Sequence, residues 1–215
     1  MPVIEQRDLM VTRGEFIEDS KQVACSLKIL GLRPNDILVI ATPNLYQSLV
    51  LFKAANSIGA ITTFLNDKLT DKDLLSYLKK YNAPILVTFD KDKDYAAYVR
   101  KHSPVNTVIN IDPKFVDSRE QFFPNTVTEY AELDNDHAHG YTVYHCLFSL
   151  GRSRVVRPTN LKARLGANRP ALILYTSGST GDPKGMVFTN RNALAALTYL
   201  KYSTHSKPYD RQAFW

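Results

Sequence analysis

Four short β-prone runs alternate with helical periodicity through the first half of the chain. They are Ile37–Ala41, residues 59–65, Ile85–Phe89 and Thr107–Ile111. Ile37–Ala41 is apolar throughout and bounded by turn residues, which fits a strand buried on both faces, as in a parallel sheet. Residues 11–32 place Phe16, Ser20, Val23, Ala24, Leu27 and Leu30 at spacings of three and four, which predicts an amphipathic helix. Gly31 suits the position just past its end, and Arg33-Pro34-Asn35-Asp36 reads as a turn. Pro43-Asn44 opens a helix over 44–57. Thr70, with Asp73 three residues on, predicts a capped start for a helix over Asp71–Tyr81. A further helix is expected over 92–102. Strands and helices joined by a few residues leave one fold class: α/β, a mostly parallel sheet with helices on both faces. Residues 11–111 are its alternating scaffold.

Residues 112–170 break the alternation. They hold Pro113, Pro124, Pro158 and Pro170 and little periodicity, so an irregular connection is expected, with a strand near 141–148. His137, His139, His145 and Cys146 carry zinc-ligand side chains, but their spacing matches no standard finger, and a partly exposed loop is the expectation. Within the connection, residues 151–170 carry Arg152, Arg154, Arg157, Lys162, Arg164 and Arg169 and no acid. An anionic lipid surface or an anionic substrate tail would suit them. A solvated loop suits an isolated charge run better.

The stretch that follows carries the chemistry. Residues 171–175 predict a strand, residues 186–189 another, and Thr189-Asn190 can cap a helix over 191–202. Between the strands lies Tyr175-Thr176-Ser177-Gly178-Ser179-Thr180-Gly181-Asp182-Pro183-Lys184-Gly185. Glycines let backbone N–H groups approach a bound group closely, and consecutive N–H groups form an anion nest. Hydroxyls add rotatable donors and the lysine a compact positive charge. These parts suit a polyphosphate. They are not a Walker A loop, because Lys184 precedes a glycine, no Gly-Lys-Ser/Thr occurs, and a strand-like run follows. A flexible Gly/Ser linker is the plain alternative, and the Pro-Lys pair between two strand-like runs argues against it.

The spacing of that stretch resembles the phosphate-binding loop of the adenylate-forming superfamily, which includes acyl-CoA synthetases, luciferases and the adenylation domains of peptide synthetases. Arg13-Gly14-Glu15-Phe16, Gly31-Leu32-Arg33-Pro34-Asn35-Asp36, Pro43-Asn44 and Ile58-Gly59-Ala60 resemble that family's N-terminal signposts, in order. The resemblance implies a carboxylic acid activated by ATP to an acyl-adenylate, then transferred to a thiol such as CoA. It implies that Thr176, Ser177, Ser179 and Thr180 offer hydroxyls to the β- and γ-phosphates. Gly178, Gly181 and Gly185 would shape the loop, Pro183 stiffen it, Lys184 supply the catalytic charge, and Thr176 lie on the Mg²⁺ side. Asp182 is expected to face solvent.

One departure is plain. The last glycine in the chain is Gly185, so the adenine-binding Tyr-Gly-x-Thr-Glu stretch that such enzymes carry after the loop is absent. The resemblance therefore implies a partial N-terminal domain over 1–215, with 171–202 as phosphate-loop hairpin and following helix and the family's C-terminal half outside it. Two readings follow. One is the N-terminal part of an acyl-CoA synthetase-type ligase, with a peptide-synthetase adenylation domain as the variant within the family. The other is a non-catalytic fragment or scaffold module that keeps the loop. The 215-residue polypeptide alone is expected to be inactive and to expose apolar surface where such a domain continues.

Composition excludes other classes. The formal charge is +6, from 27 basic and 21 acidic residues, and residues 151–170 supply all of the excess. That segment holds no aromatic residue, so no nucleic-acid surface is read from it. Cys25 and Cys146 are far apart and read as reduced thiols of a cytoplasmic protein. The N-terminus shows no signal core, and the longest apolar stretch, 45–65, is broken by Gln47, Lys53 and Asn56.

Overall fold

A computed structural model describes residues 2–6, 9–117, 140–153, 166–176 and 183–203. The chain opens with an antiparallel hairpin, β1 (Pro2–Gln6) and β2 (Leu9–Thr12). Helix α1 (Arg13–Ile29) follows without a break. Then come β3 (Ile37–Ala41), α2 (Tyr46–Ile58), β4 (Ile61–Leu65), α3 (Asp71–Tyr81), β5 (Ile85–Phe89), α4 (Lys93–His102) and β6 (Thr107–Ile111). The described part of the remainder holds β7 (Tyr141–Val143), α5 (Cys146–Ser153), β8 (Pro170–Thr176), β9 (Lys184–Thr189) and α6 (Asn190–Ser203). Seven strands form one sheet in the order β7-β6-β5-β3-β4-β8-β9. All neighbours are parallel except β8 and β9, which form an antiparallel edge ribbon.

The apolar runs become central strands because both faces are covered. Leu38 and Ile40 of β3, with Ile85 and Val87 of β5, face a layer built from α1, α2 and α5. Val39 and Ala41, with Leu86 and Val108, face α3 and α4 through Leu74, Leu78, Ala96 and Val99. Successive strand residues point to opposite faces, so a run covered on both has no room for polar alternation. The expected fold class is the observed one.

Helix α1 starts at Arg13 rather than at residue 11, because Leu9–Thr12 is a strand. Val11 is buried and pairs with Ile4 across the hairpin. Thr12 caps the helix: its hydroxyl accepts from the Glu15 amide at 3.3 Å, and the Glu15 carboxylate accepts from the Thr12 amide at 2.7 Å. At the other end Gly31 has φ 94°, with Leu32 N donating to Leu27 O and Gly31 N to Lys28 O, a Schellman end. Cys25 is buried in this helix, outside any disulfide. Burial pushes its pKa up, with the Lys28 charge opposing and the Glu18 charge adding to the rise.

Three expectations for the connection need correction. The strand over 141–148 ends at Val143, and α5 begins at Cys146, because Leu147 and Phe148 are wanted by the α1 layer. Cys146 is accordingly buried in a helix rather than placed in a loop; His137 and His139 lie outside the described residues. Of the basic residues, Arg169 is not solvated freely. Its guanidinium covers Gly59 and donates to Asn35 Oδ1 at 2.8 Å. Arg154, Arg157, Lys162 and Arg164 lie outside the described residues. No described helix is long and apolar enough to cross a membrane.

Candidate functional site

The parallel strands β3, β4, β5 and β6 all deliver their carboxyl ends to one edge of the sheet. In open α/β sheets that edge is where ligands bind. β8 runs parallel to β4, with Thr62 opposite Leu172 and Thr63 opposite Ile173, and Thr63 Oγ1 donates to Ile173 O at 3.1 Å. Its direction carries Thr176 to the same edge. β9 then returns antiparallel, with Tyr175 opposite Gly185 and Thr176 opposite Lys184. The hairpin thus sets the two described ends of the glycine stretch side by side.

Of the expected site residues, Thr176, Pro183, Lys184 and Gly185 are described, and the fold brings them together at the hairpin mouth. Ser177, Gly178, Ser179, Thr180 and Gly181 lie outside the described residues. The Thr176 hydroxyl donates to the Lys184 carbonyl at 3.4 Å, a long bond that leaves it easy to redirect. The Lys184 side chain is exposed. Gly185 sits in close packing: a β carbon there would lie 3.2 Å from Ile173 Cγ2 and, in ordinary contact, 3.4 Å from both the Tyr175 ring and the Tyr81 hydroxyl. Past the hairpin, Thr189 caps α6. Its hydroxyl accepts from the Asn192 amide at 3.2 Å, and Asn192 Oδ1 accepts from the Thr189 amide at 3.0 Å.

Sequence reasoning missed the aromatic support of this mouth. Tyr77 and Tyr81 of α3 meet Tyr175 at the end of β8. They lie on the helix expected over Asp71–Tyr81, at helical spacing with Leu74 and Leu78, and nothing local links them to Tyr175. Burial pushes the Tyr81 phenol above its ordinary pKa, and the neighbouring Tyr77 adds to the rise.

Beside it, a small crevice opens outside β3, β4 and β5, lined among others by Asn66, Asp67, Asp71, Thr88, Lys91 and Tyr95. Tyr95 donates to Asp71 Oδ1 at 3.2 Å, and Lys91 Nζ stands 4.9 Å from the Tyr95 ring centroid. Burial, then the Asp71 charge and that hydrogen bond, push the Tyr95 phenol up to about 12. The folded protein therefore holds this proton to higher pH than the unfolded chain does. The contribution to stability is intact below pH 10, the ordinary phenol value, and is lost as pH rises towards 12. Urea midpoints measured from pH 9 to 12 should fall more steeply for the native sequence than for Tyr95→Phe. Parallel curves would refute the linkage.

Apolar side chains lie open around the ribbon and α6: Leu174, Met186, Val187, Leu194 and Tyr199, the last 72% exposed. Among the described residues, no group of three or more His, Cys, Asp or Glu is placed to hold a metal ion.

The chain can be set beside known proteins at this point. Acetyl-coenzyme A synthetase 2 of Saccharomyces cerevisiae is 27% identical over 197 residues, covering 90% of this chain and 27% of that protein. A 4-coumarate–CoA ligase of Vanilla planifolia is 26% identical over 182 residues, covering 83% of this chain and 28% of that protein. Among solved structures, the anthranilate CoA ligase AuaEII in complex with anthranoyl-AMP superposes with a TM-score of 0.70 at 19% identity, covering 94% of this chain and 34% of that one. ATP-bound MatB from Rhodopseudomonas palustris superposes at 0.66 with 23% identity, covering 90% and 32%. At these identities the superpositions show the fold. The chain spans about three-tenths of the length of these curated relatives. The sequence model of the AMP-binding enzyme family matches residues 2–215, and the chain belongs to that family.

Proposed function

We propose that the chain is the phosphate-binding part of an AMP-forming carboxylate ligase of the acyl-CoA synthetase type. The observation that carries this is the hairpin mouth, where Thr176 and Lys184 face each other at the ligand edge of the sheet. The names of the similar proteins, acetyl-CoA synthetases and 4-coumarate–CoA ligases, favour acid–thiol ligation over a peptide-synthetase adenylation domain.

In this reading a carboxylate attacks the α-phosphate of ATP, pyrophosphate leaves, and a thiol such as CoA later displaces AMP. Charge builds on the β- and γ-phosphates as they depart. Donors fixed in advance stabilise it without reorganising. Thr176, Ser177, Ser179 and Thr180 supply hydroxyls, Gly178, Gly181 and Gly185 bare backbone, Pro183 a stiff exit, and Lys184 the cation. A magnesium ion would arrive on the nucleotide phosphates, as that ion commonly does, and the Thr176 hydroxyl would lie on its side. Residues 11–111 act as scaffold and 171–202 as the phosphate unit. Buried cysteines outside any disulfide suit a reducing, cytoplasmic setting.

A second reading applies to the 215-residue polypeptide acting alone: a loop kept without turnover. Within these 215 residues no glycine follows Gly185, so the polypeptide alone offers no Tyr-Gly-x-Thr-Glu stretch to adenine. Calorimetric titration separates the possibilities. Tripolyphosphate should bind this polypeptide weakly, near the millimolar range. Lys184→Ala should weaken that binding by roughly tenfold, the worth of one charge-assisted hydrogen bond. AMP should not bind, and carboxylate-dependent ATP–pyrophosphate exchange should be undetectable. Tripolyphosphate binding that ignores Lys184→Ala would sink the phosphate reading. Robust exchange that Lys184→Ala abolishes would sink the second reading.

A further inference from the structure

The ribbon that carries the hairpin mouth is held to the sheet only part of the way. Its pairing with β4 runs through Leu172 and Ile173 and ends there, short of Tyr175. Beyond that point α3 takes over. The Tyr77 ring meets Tyr175 edge-on, with centroids 4.8 Å apart and planes at 65°. The Tyr81 ring stands 6.4 Å from Tyr175, and the two hydroxyls share a hydrogen bond. Lys80 Nζ lies 5.9 Å from the centroid of the same Tyr175 ring. On the returning strand, Gly185 leaves room for both Tyr175 and Tyr81. Tyr175 and Gly185 are cross-strand partners, next to the Thr176–Lys184 pair. One helix face therefore touches both stems, one residue before the groups assigned to phosphate.

We propose that Tyr81 and Tyr77 are positioning residues: they clamp Tyr175 and so hold Thr176 and Lys184 at the spacing a polyphosphate needs. The Tyr81–Tyr175 hydroxyl pair is the latch. Ring packing alone would be met by phenylalanine, and the hydroxyl bond adds what packing lacks, a fixed rotation of the Tyr175 ring about the strand. Raised by burial, the Tyr81 phenol keeps its proton through neutral pH, so the bond persists under ordinary conditions. The assignment of a polyphosphate rests on the function proposed above; the clamp on the two stems does not.

The test uses the full 215-residue chain, the variants Tyr81→Phe and Tyr175→Phe, their combination, and Tyr98→Phe on α4 as an unrelated control. Amide hydrogen exchange at residues 174–176 and 184–186 reads the clamp, and tripolyphosphate titration reads its consequence. Each single variant should speed stem exchange by about five- to tenfold and weaken tripolyphosphate by a similar factor. Exchange in β3 and β5 should hold at the native rate. The double variant should be no worse than either single one, because both remove one shared bond. Tyr98→Phe should match the native chain. Unchanged stem exchange in Tyr81→Phe, effects that add in the double variant, or faster exchange throughout the sheet would each overturn the clamp. A native chain that fails to bind tripolyphosphate overturns the phosphate reading instead, and the exchange data still decide the clamp.

Discussion

Replacing Gly140 by alanine should lower stability by about 3–5 kcal/mol in equilibrium urea unfolding, the sum of backbone strain and overpacking. Gly140 has φ 71°, in the left-handed region, at the start of β7. A β carbon there would fall on the Asn106 carbonyl oxygen and the Arg100 guanidinium, far inside van der Waals contact. The Asn106 oxygen belongs to backbone and cannot swing aside, and Gly140 O must still accept from Val108 N at 2.9 Å. Two other glycines calibrate the effect. Gly31 has φ 94° and nothing within 4 Å of the added carbon, so alanine there should cost only the strain, about 1–2 kcal/mol. Gly59 has φ 90° and meets the Arg169 guanidinium at 2.9 Å, the movable end of a long side chain, so its cost should fall between the two. Equal losses at all three sites would show that the local surroundings decide nothing.

Phe148→Ala should cost about 3–5 kcal/mol, the range for emptying a buried aromatic site. Phe148 is 1% exposed and lies in the α1–α2–α5 layer. Its ring meets Tyr144 at 5.8 Å in a T-shaped pair, while Leu147 beside it is fully buried and its carbonyl accepts from the Ser26 hydroxyl. A loss below about 1 kcal/mol would mean that α5 is a surface appendage and not part of the core. Both variants are read by the same urea titration, with fluorescence and circular dichroism required to give coincident transitions.

Much of the sheet was legible because burial on both faces writes a local signal. β5 and β6 match their expected bounds, since every residue of each strand is wanted on one face or the other. The β1–β2 hairpin was not read, because the expected helix was run back to residue 11, ahead of its first patterned residue, Phe16. The decisive mark was present in Thr12-x-x-Glu15, a capping box that dates the helix start. The strand expected over 141–148 failed at its second half for a different reason. Leu147 and Phe148 are placed by α1, more than a hundred residues earlier, and no local pattern reports that partner. At the site, the glycine stretch announced the hairpin, and Thr176 and Lys184 are opposed as a loop between two strands requires. The tyrosines under it stayed hidden because Tyr81 and Tyr175 are 94 positions apart.

The parting of β4 and β8 in the chain has a kinetic consequence. Strands β3 to β6 can assemble through successive short crossovers, each closing a loop of modest length. β8 instead joins β4 across a separation of 110 residues between Thr63 and Ile173. Loop-closure entropy and high contact order both place such a contact late. The edge that carries the phosphate ribbon is then the last to be added to an already formed sheet, and a nascent chain would expose the β4 edge until residues 170–176 have emerged.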